Sequence, residues 1–95
     1  MKKQISPSEY MRRRGIIKVA EALIMCDPAQ ASKVFALAQC VVVRCEFIFI
    51  DKVFEYHVLS PLFDEIDEGL RAPEYHFNLT ILNGKIKNVK ALRVG

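Results

Sequence analysis

The amino-acid sequence predicts an α+β fold: two N-terminal helices packed on a four-stranded, mostly antiparallel sheet. Three observations predict it. Ser6-Pro7-Ser8-Glu9 and Asp27-Pro28-Ala29-Gln30 are helix starts, each with a capping side chain, proline at the first helical position and a residue able to reach back. From Cys40 onward the apolar period changes to two. Asn83-Gly84, the preferred pair of a type I′ turn, then joins "YHFNLTIL" to "KIKNVKALRV" as a hairpin.

The first helix is expected over about residues 7–26. On a helical wheel Val19, Leu23, Ile16, Ala20 and Ile24 form one broad apolar arc, with Arg14, Lys18 and Glu21 opposite. Arg12 and Arg13 fall on that arc, one turn before Ile16. They cannot be buried there unpaired, so the helix should overhang the sheet until about Gly15. The second helix, about 28–39, shows Ala31, Val34, Phe35 and Ala38 on one stripe. Ser60-Pro61 marks a third, shorter start, giving a helical turn or two over 61–67 inside a long loop. Asp64 and Glu65 sit near its positive end, and Gly69 can supply a left-handed stop.

Strands are expected over about 40–50, 53–59, 75–82 and 85–94. "CVVVRCEFIFI" and "VFEYHVL" flank Asp51-Lys52 and read as a hairpin. With those two residues as the turn, Phe49 faces Phe54, Phe47 faces Tyr56 and Cys45 faces Val58. One face then collects these six side chains as a core face. Glu46 lies opposite His57, a cross-strand pair. Asp-Lys is a poor primed turn, which leaves a longer loop open. Beyond Lys87-Asn88 the alternation loses step, the mark of a bulge.

Ninety-five residues make a single domain, 1–95, and 52% of them are apolar. That surplus must enter a dense core or be buried against a partner. The net charge of +3 is unevenly spread: an acidic middle, 35–74, lies between basic ends. Such a pattern suits charge complementarity within or between subunits as well as nucleic-acid binding, and a dedicated nucleic-acid binder is usually more basic. "MKK" resembles a signal peptide's basic start, but Pro7, Glu9 and the arginines interrupt the apolar run that should follow. The longest uncharged stretch, "VFALAQCVVV", is half of what a membrane span needs. A cytoplasmic protein with reduced cysteines and no membrane contact is the expectation.

"MRRRG" is the one conspicuous charge run. Three consecutive helical residues point in three directions, so Arg12, Arg13 and Arg14 cannot converge on one phosphate. With Lys18 they can present a cationic surface to a partner, and these four are the candidate partner-binding residues. The bland alternative is a solvated helix start, or one folded against the chain's own acidic loop. No catalytic, cofactor-binding or metal site is expected. Cys26, Cys40 and Cys45 lack paired zinc spacing, and Cys45, on the core face, reads as a small buried hydrophobe. The acidic run Asp64, Glu65, Asp67 and Glu68 is accounted for as a solvated loop. None of the common hydrolase, nucleotide or metalloprotease motifs is present. The aromatic residues fall on the face that helices should cover, so they do not form a base-stacking platform.

The other face of the first hairpin carries Ile48, Ile50, Val53 and Leu59 among charges. Helices can cover only one side of a single sheet, so these four are expected at a homo-oligomer interface, most simply a dimer. If no oligomer forms, the 60–74 loop folded back over this face is the expected cover. The stretch "FEYHVLSPLFDEIDEGLRAPEYHFNL" resembles segments of small uncharacterised phage and prophage proteins. The resemblance implies no catalytic residues; it implies an accessory protein of a virus or mobile element, a class that often acts by binding a macromolecule. The functional expectation is a non-enzymatic protein-interaction module. Its rival is a nucleic-acid-binding accessory protein using the basic first helix, Lys2, Lys3 and the tail lysines Lys85, Lys87 and Lys90. An enzyme with a cysteine–histidine pair ranks third.

Overall fold

In the computed structural model, residues 6–67 and 69–94 are described. Both helix caps form as the sequence dictates. Ser6 Oγ accepts from the Glu9 N–H at 3.2 Å and opens α1 (Pro7–Arg12). Glu9 does not reach back; its carboxylate receives Arg13 Nε at 2.9 Å and Nη2 at 2.7 Å. Helix α1 therefore ends after six residues, where the Arg13 N–H bonds the Tyr10 carbonyl.

The helix expected over 7–26 does not continue. Arg14–Ala20 is a strand, β1, and the helical geometry resumes only in α2 (Glu21–Cys26). The reason lies in "RGIIKVA": β-branched Ile16, Ile17 and Val19 and a mid-run glycine disfavour a helix, and partners on both sides favour a strand. The wheel that placed Arg12 and Arg13 on an apolar arc thus describes no real surface. Asp27 Oδ1 then accepts from the Gln30 N–H at 3.2 Å and starts α3 (Pro28–Leu37). Gln39, with φ of 55°, turns the chain out of α3 toward the sheet.

The remaining strands are β2 (Val41–Ile48), β3 (Val53–Leu59), β4 (Glu74–Leu82) and β5 (Lys85–Arg93). The sheet is five-stranded, not four-stranded, in the order β2-β3-β1-β4-β5. β1 sits in the centre, antiparallel to β3 and parallel to β4, and the two hairpins β2–β3 and β4–β5 flank it. The class is α+β as expected, but the sheet is mixed and its middle strand comes from the first expected helix.

Two turns decide the registers. Asn83 (φ 54°) and Gly84 (φ 75°) make the expected two-residue turn between β4 and β5. Thr80 pairs with Asn88 and Ile81 with Ile86, so Lys87 is the bulged residue at the point where the alternation loses step. In the first hairpin the turn is longer than two residues. Residues 49–52 form it, with Lys52 at φ 55°, and Ile48 pairs with Val53. Phe47 therefore faces Phe54 and Cys45 faces Tyr56, a slip of two from the expected pairing that preserves the faces.

The inner face is the one α3 packs on. Ile17, Val19, Val58, Tyr75 and Phe63 form one buried cluster, and Val34 of α3 and Ala38, its C-cap, meet Val89 of β5 in another. Phe63 comes from the loop 60–73 and is fully buried, stacked on Tyr75 with ring centres 4.4 Å apart. No helical turn forms over 61–67, because the loop is spent on this insertion: the Ile66 N–H bonds the Arg12 carbonyl at 2.9 Å instead of a neighbour in its own turn. Gly15 is required beside it. A Cβ there would stand 2.7 Å from Phe63 Cε2 and 2.8 Å from Tyr75 Cδ2, closer than carbon atoms pack. Buried Ser60 locks the loop's start, donating to the Ala38 carbonyl at 2.6 Å and accepting from the Leu62 N–H at 3.1 Å.

Candidate interaction surface

The arginine run turns inward on the chain's own loop. Arg13 is mostly buried and donates to Glu9, to the Phe63 carbonyl at 2.6 Å and to Glu65 at 3.3 Å. Arg12 pairs with Glu65 at 3.2 Å. Arg14 Nη2 caps two loop carbonyls, Asp67 and Leu70, each at 3.2 Å. Lys18, further along β1, pairs with Glu74 at 3.4 Å. All four candidate partner-binding residues thus hold the 60–74 segment against the start of β1. Lys2, Lys3 and Glu68 lie outside the described residues. The folded-loop alternative weighed from the sequence describes this geometry; a projecting cationic helix end does not.

The expected interface residues do not form one patch. Leu59 is buried at 7% exposure, where Ala72, Arg14, Val43 and His57 surround it in a shallow hollow. The long loop does fold back over this end of the outer face. Ile48 and Val53, paired with each other, are half-buried, while Ile50 is 93% exposed in the turn. The outer face also carries Val41, opposite Leu59, and Leu92, opposite His76, both exposed. Along β2 and β3 it carries a square of charge: Arg44 opposite His57 and Glu46 opposite Glu55. Attraction in this square runs along the strands, His57 Nε2 to Glu55 at 3.1 Å and Arg44 to Glu46 at 3.5 Å. Across the strands, Glu46 meets only a like charge.

Sequence reasoning missed that Glu46, Glu55 and His57 converge, because the slip of two sets Glu55, not His57, opposite Glu46. One ligand atom from each lies within 4.8 Å of the others, close enough to hold a divalent cation. None of the three cysteines takes part. Each of the three groups already has a protein partner, which a cation would have to displace.

The apolar surface lies on the inner face, at the β2–β3 end. Here the helical cover stops at Phe35, which packs edge-on to Tyr56 with centres 4.9 Å apart. Beyond it an aromatic row continues without cover: Tyr56 to Phe54 at 6.4 Å, Phe54 to Phe47 at 5.0 Å, Phe47 to Phe49 at 4.9 Å. Phe47 and Phe54 are half-buried and touch each other, and Phe49 is 73% exposed because it belongs to the turn. Cys45 and Val42, on the same face, are exposed too. Cys45 is therefore not the buried hydrophobe the sequence implied. The more shielded thiol is half-buried Cys40, whose pKa is pushed up to about 12 by loss of solvent around its charged form. The aromatic face expected to be core is core only as far as Tyr56.

A second hollow, of about 220 Å³, opens where β1 and β4 part company. Their ladder ends at Ile17 and Tyr75, so Val19, Phe77 and Leu79 line an apolar cleft closed by Val34 and Phe35 of α3. Its polar lining is Lys18, Gln30 and His76, with no cysteine beside the histidine. No described helix is long and apolar enough to cross a membrane.

No protein-family model, curated protein or solved structure matches this chain.

Proposed function

We propose that this protein is a small non-enzymatic interaction module that acts as a homo-oligomer and binds a protein partner through the uncovered end of its sheet. The single observation behind the reading is the aromatic row Phe54, Phe47 and Phe49, left without helical cover and rimmed by charge. An exposed aromatic patch of this kind is costly to keep in water and is the usual centre of an interface. The nucleic-acid alternative loses support because Arg12, Arg13, Arg14 and Lys18 all have partners within the chain. A cytoplasmic setting fits its exposed, unpaired cysteines. An accessory role in a phage or mobile element rests on the resemblance of residues 54–79 alone.

The test is capture from native extract with the parent chain and with Phe49→Asp, each with and without nuclease. A protein retained by the parent after nuclease and lost with Phe49→Asp supports the reading. Capture that vanishes with nuclease and ignores Phe49→Asp supports nucleic-acid binding instead.

A further inference from the structure

The sheet has two edges, and they differ in kind. The β5 edge carries Lys85, Lys87, Lys90 and Arg93, with a bulge at Lys87. Like-charged lysines are among the devices that keep sheet edges from pairing with themselves; a bulge is common to both edge strands. The β2 edge carries neither a lysine nor a proline. It offers Val41, Val42 and Val43, between 46% and 65% exposed, then one positive and one negative side chain, Arg44 and Glu46. Among the described residues no strand pairs with this edge.

We infer that β2 is the dimerisation edge: two copies pair antiparallel through β2, centred on Cys45, so that Arg44 of each copy faces Glu46 of the other. This deepens the homo-oligomer reading above and rests on it. The register follows from the sequence of the edge. A shift by one residue would set inner-face side chains against outer-face ones. A shift by two would set Arg44 against Arg44, or Glu46 against Glu46, across the two-fold axis. Centring on Cys45 alone pairs both charges with their opposites, twice by symmetry. The charge square explains why the edge is receptive: within its own chain Arg44 faces His57 and Glu46 faces Glu55, so neither has an opposite charge across the ladder. The β2 bulge between Val42 and Arg44 limits the paired run and does not interrupt its centre.

Joining the edges makes one continuous sheet from two five-stranded ones. The axis then stands perpendicular to the sheet, so both aromatic rows lie side by side on one face, between the two helical layers. At the centre, Cys45 of one copy lies directly opposite Cys45 of the other. Opposed residues in an antiparallel pair have Cα atoms about 4.5–5.5 Å apart, inside the range a disulfide spans.

Sedimentation of the parent, Arg44→Glu, Glu46→Arg and the double reversal tests the register, with circular dichroism to confirm folding of each. The parent should be a dimer. Each single reversal should weaken it about tenfold or more, since two attractions become two repulsions. The double reversal should restore it. Mild oxidation of the Cys26→Ser variant should cross-link Cys45 to Cys45, as read by mass spectrometry, and Cys45→Ser should abolish the link. A parent that sediments as a monomer at high micromolar concentration overturns the inference, as does a dimer indifferent to the single reversals or not rescued by the double one. A monomer that still captures a protein through Phe49 would leave the interaction reading standing. A dimer in this register that captures none would sink that reading and keep this one.

Discussion

The two halves of the sheet are built from the same kinds of residue and end in opposite states. Over β1, β4 and β5 the inner face is covered apart from the cleft between β1 and β4: α3 and the Phe63 plug bury Ile17, Tyr75 and Val89. Over β2 and β3 beyond Tyr56, an equally aromatic face stays open. The cause is width. A helix with its side chains covers about 10–12 Å. Strands stand about 4.8 Å apart, so one helix covers two or three of five. The molecule is accordingly a thin slab, 37 × 36 × 22 Å. Hydrophobic composition alone therefore does not tell core from interface; the geometry of the cover does.

The sharpest break of this comparison is truncation of one phenylalanine from each half. Phe63→Ala, from a fully buried site, should cost about 3–5 kcal/mol in chemical denaturation. Phe49→Ala, largely exposed, should stay within about 0.5 kcal/mol at concentrations where the chain is monomeric. Equal losses would mean that the open half is closed in solution.

Next in size is Gly15→Ala. The added carbon meets two ring edges that are already stacked on each other, so neither can yield cheaply. A loss of about 1–3 kcal/mol is expected in the denaturation midpoint. An unchanged midpoint would show that the Phe63 plug is loose.

Smaller again are the helix starts. Ser6→Ala and Asp27→Ala should each cost about 0.5–2 kcal/mol, and the parent's denaturation midpoint must exceed those of both variants for the caps to matter.

The least change is expected from pH. The Cys40 thiol titrates at about 12 in the folded chain, above its ordinary value near 9.0. The unfolded state thus sheds this proton first, and stability present below pH 9 is lost as pH rises toward 12. Thiol reagents near neutral pH should label exposed Cys26 and Cys45 quickly and Cys40 only on unfolding. Equal labelling of all three would place Cys40 in water.

Features set by neighbouring residues were legible in the sequence. The caps at Ser6 and Asp27, the Asn83-Gly84 turn and the bulge near Lys87 each depend on a few adjacent side chains, and each is present. β1 was not legible because its identity depends on partners far along the chain, Val53–Leu59 and Glu74–Tyr75. In isolation "GIIKVAEALI" satisfies a helical wheel. Two signals pointed the other way: Gly15 mid-helix, and arginines stranded on the apolar arc. The first hairpin's slip arose from choosing the shorter turn, which also put Phe49 in the core. The open surface was legible as an excess of apolar residues, but assigned to the wrong face. Which strands a ten-residue α3 reaches is a matter of tertiary placement, not pattern.

The central position of β1 has a consequence for synthesis on the ribosome. β1 is made before either strand it joins, and the β4 residues that it pairs with come about 60 residues later. At about 5–20 residues per second, that segment takes about 3–12 s to emerge. Until then Ile16, Ile17 and Val19 belong to a nascent chain whose middle strand has only one side to join. The domain cannot close from its N-terminus forward; it waits for nearly its last strand, and the cell must keep those side chains from other partners in the meantime.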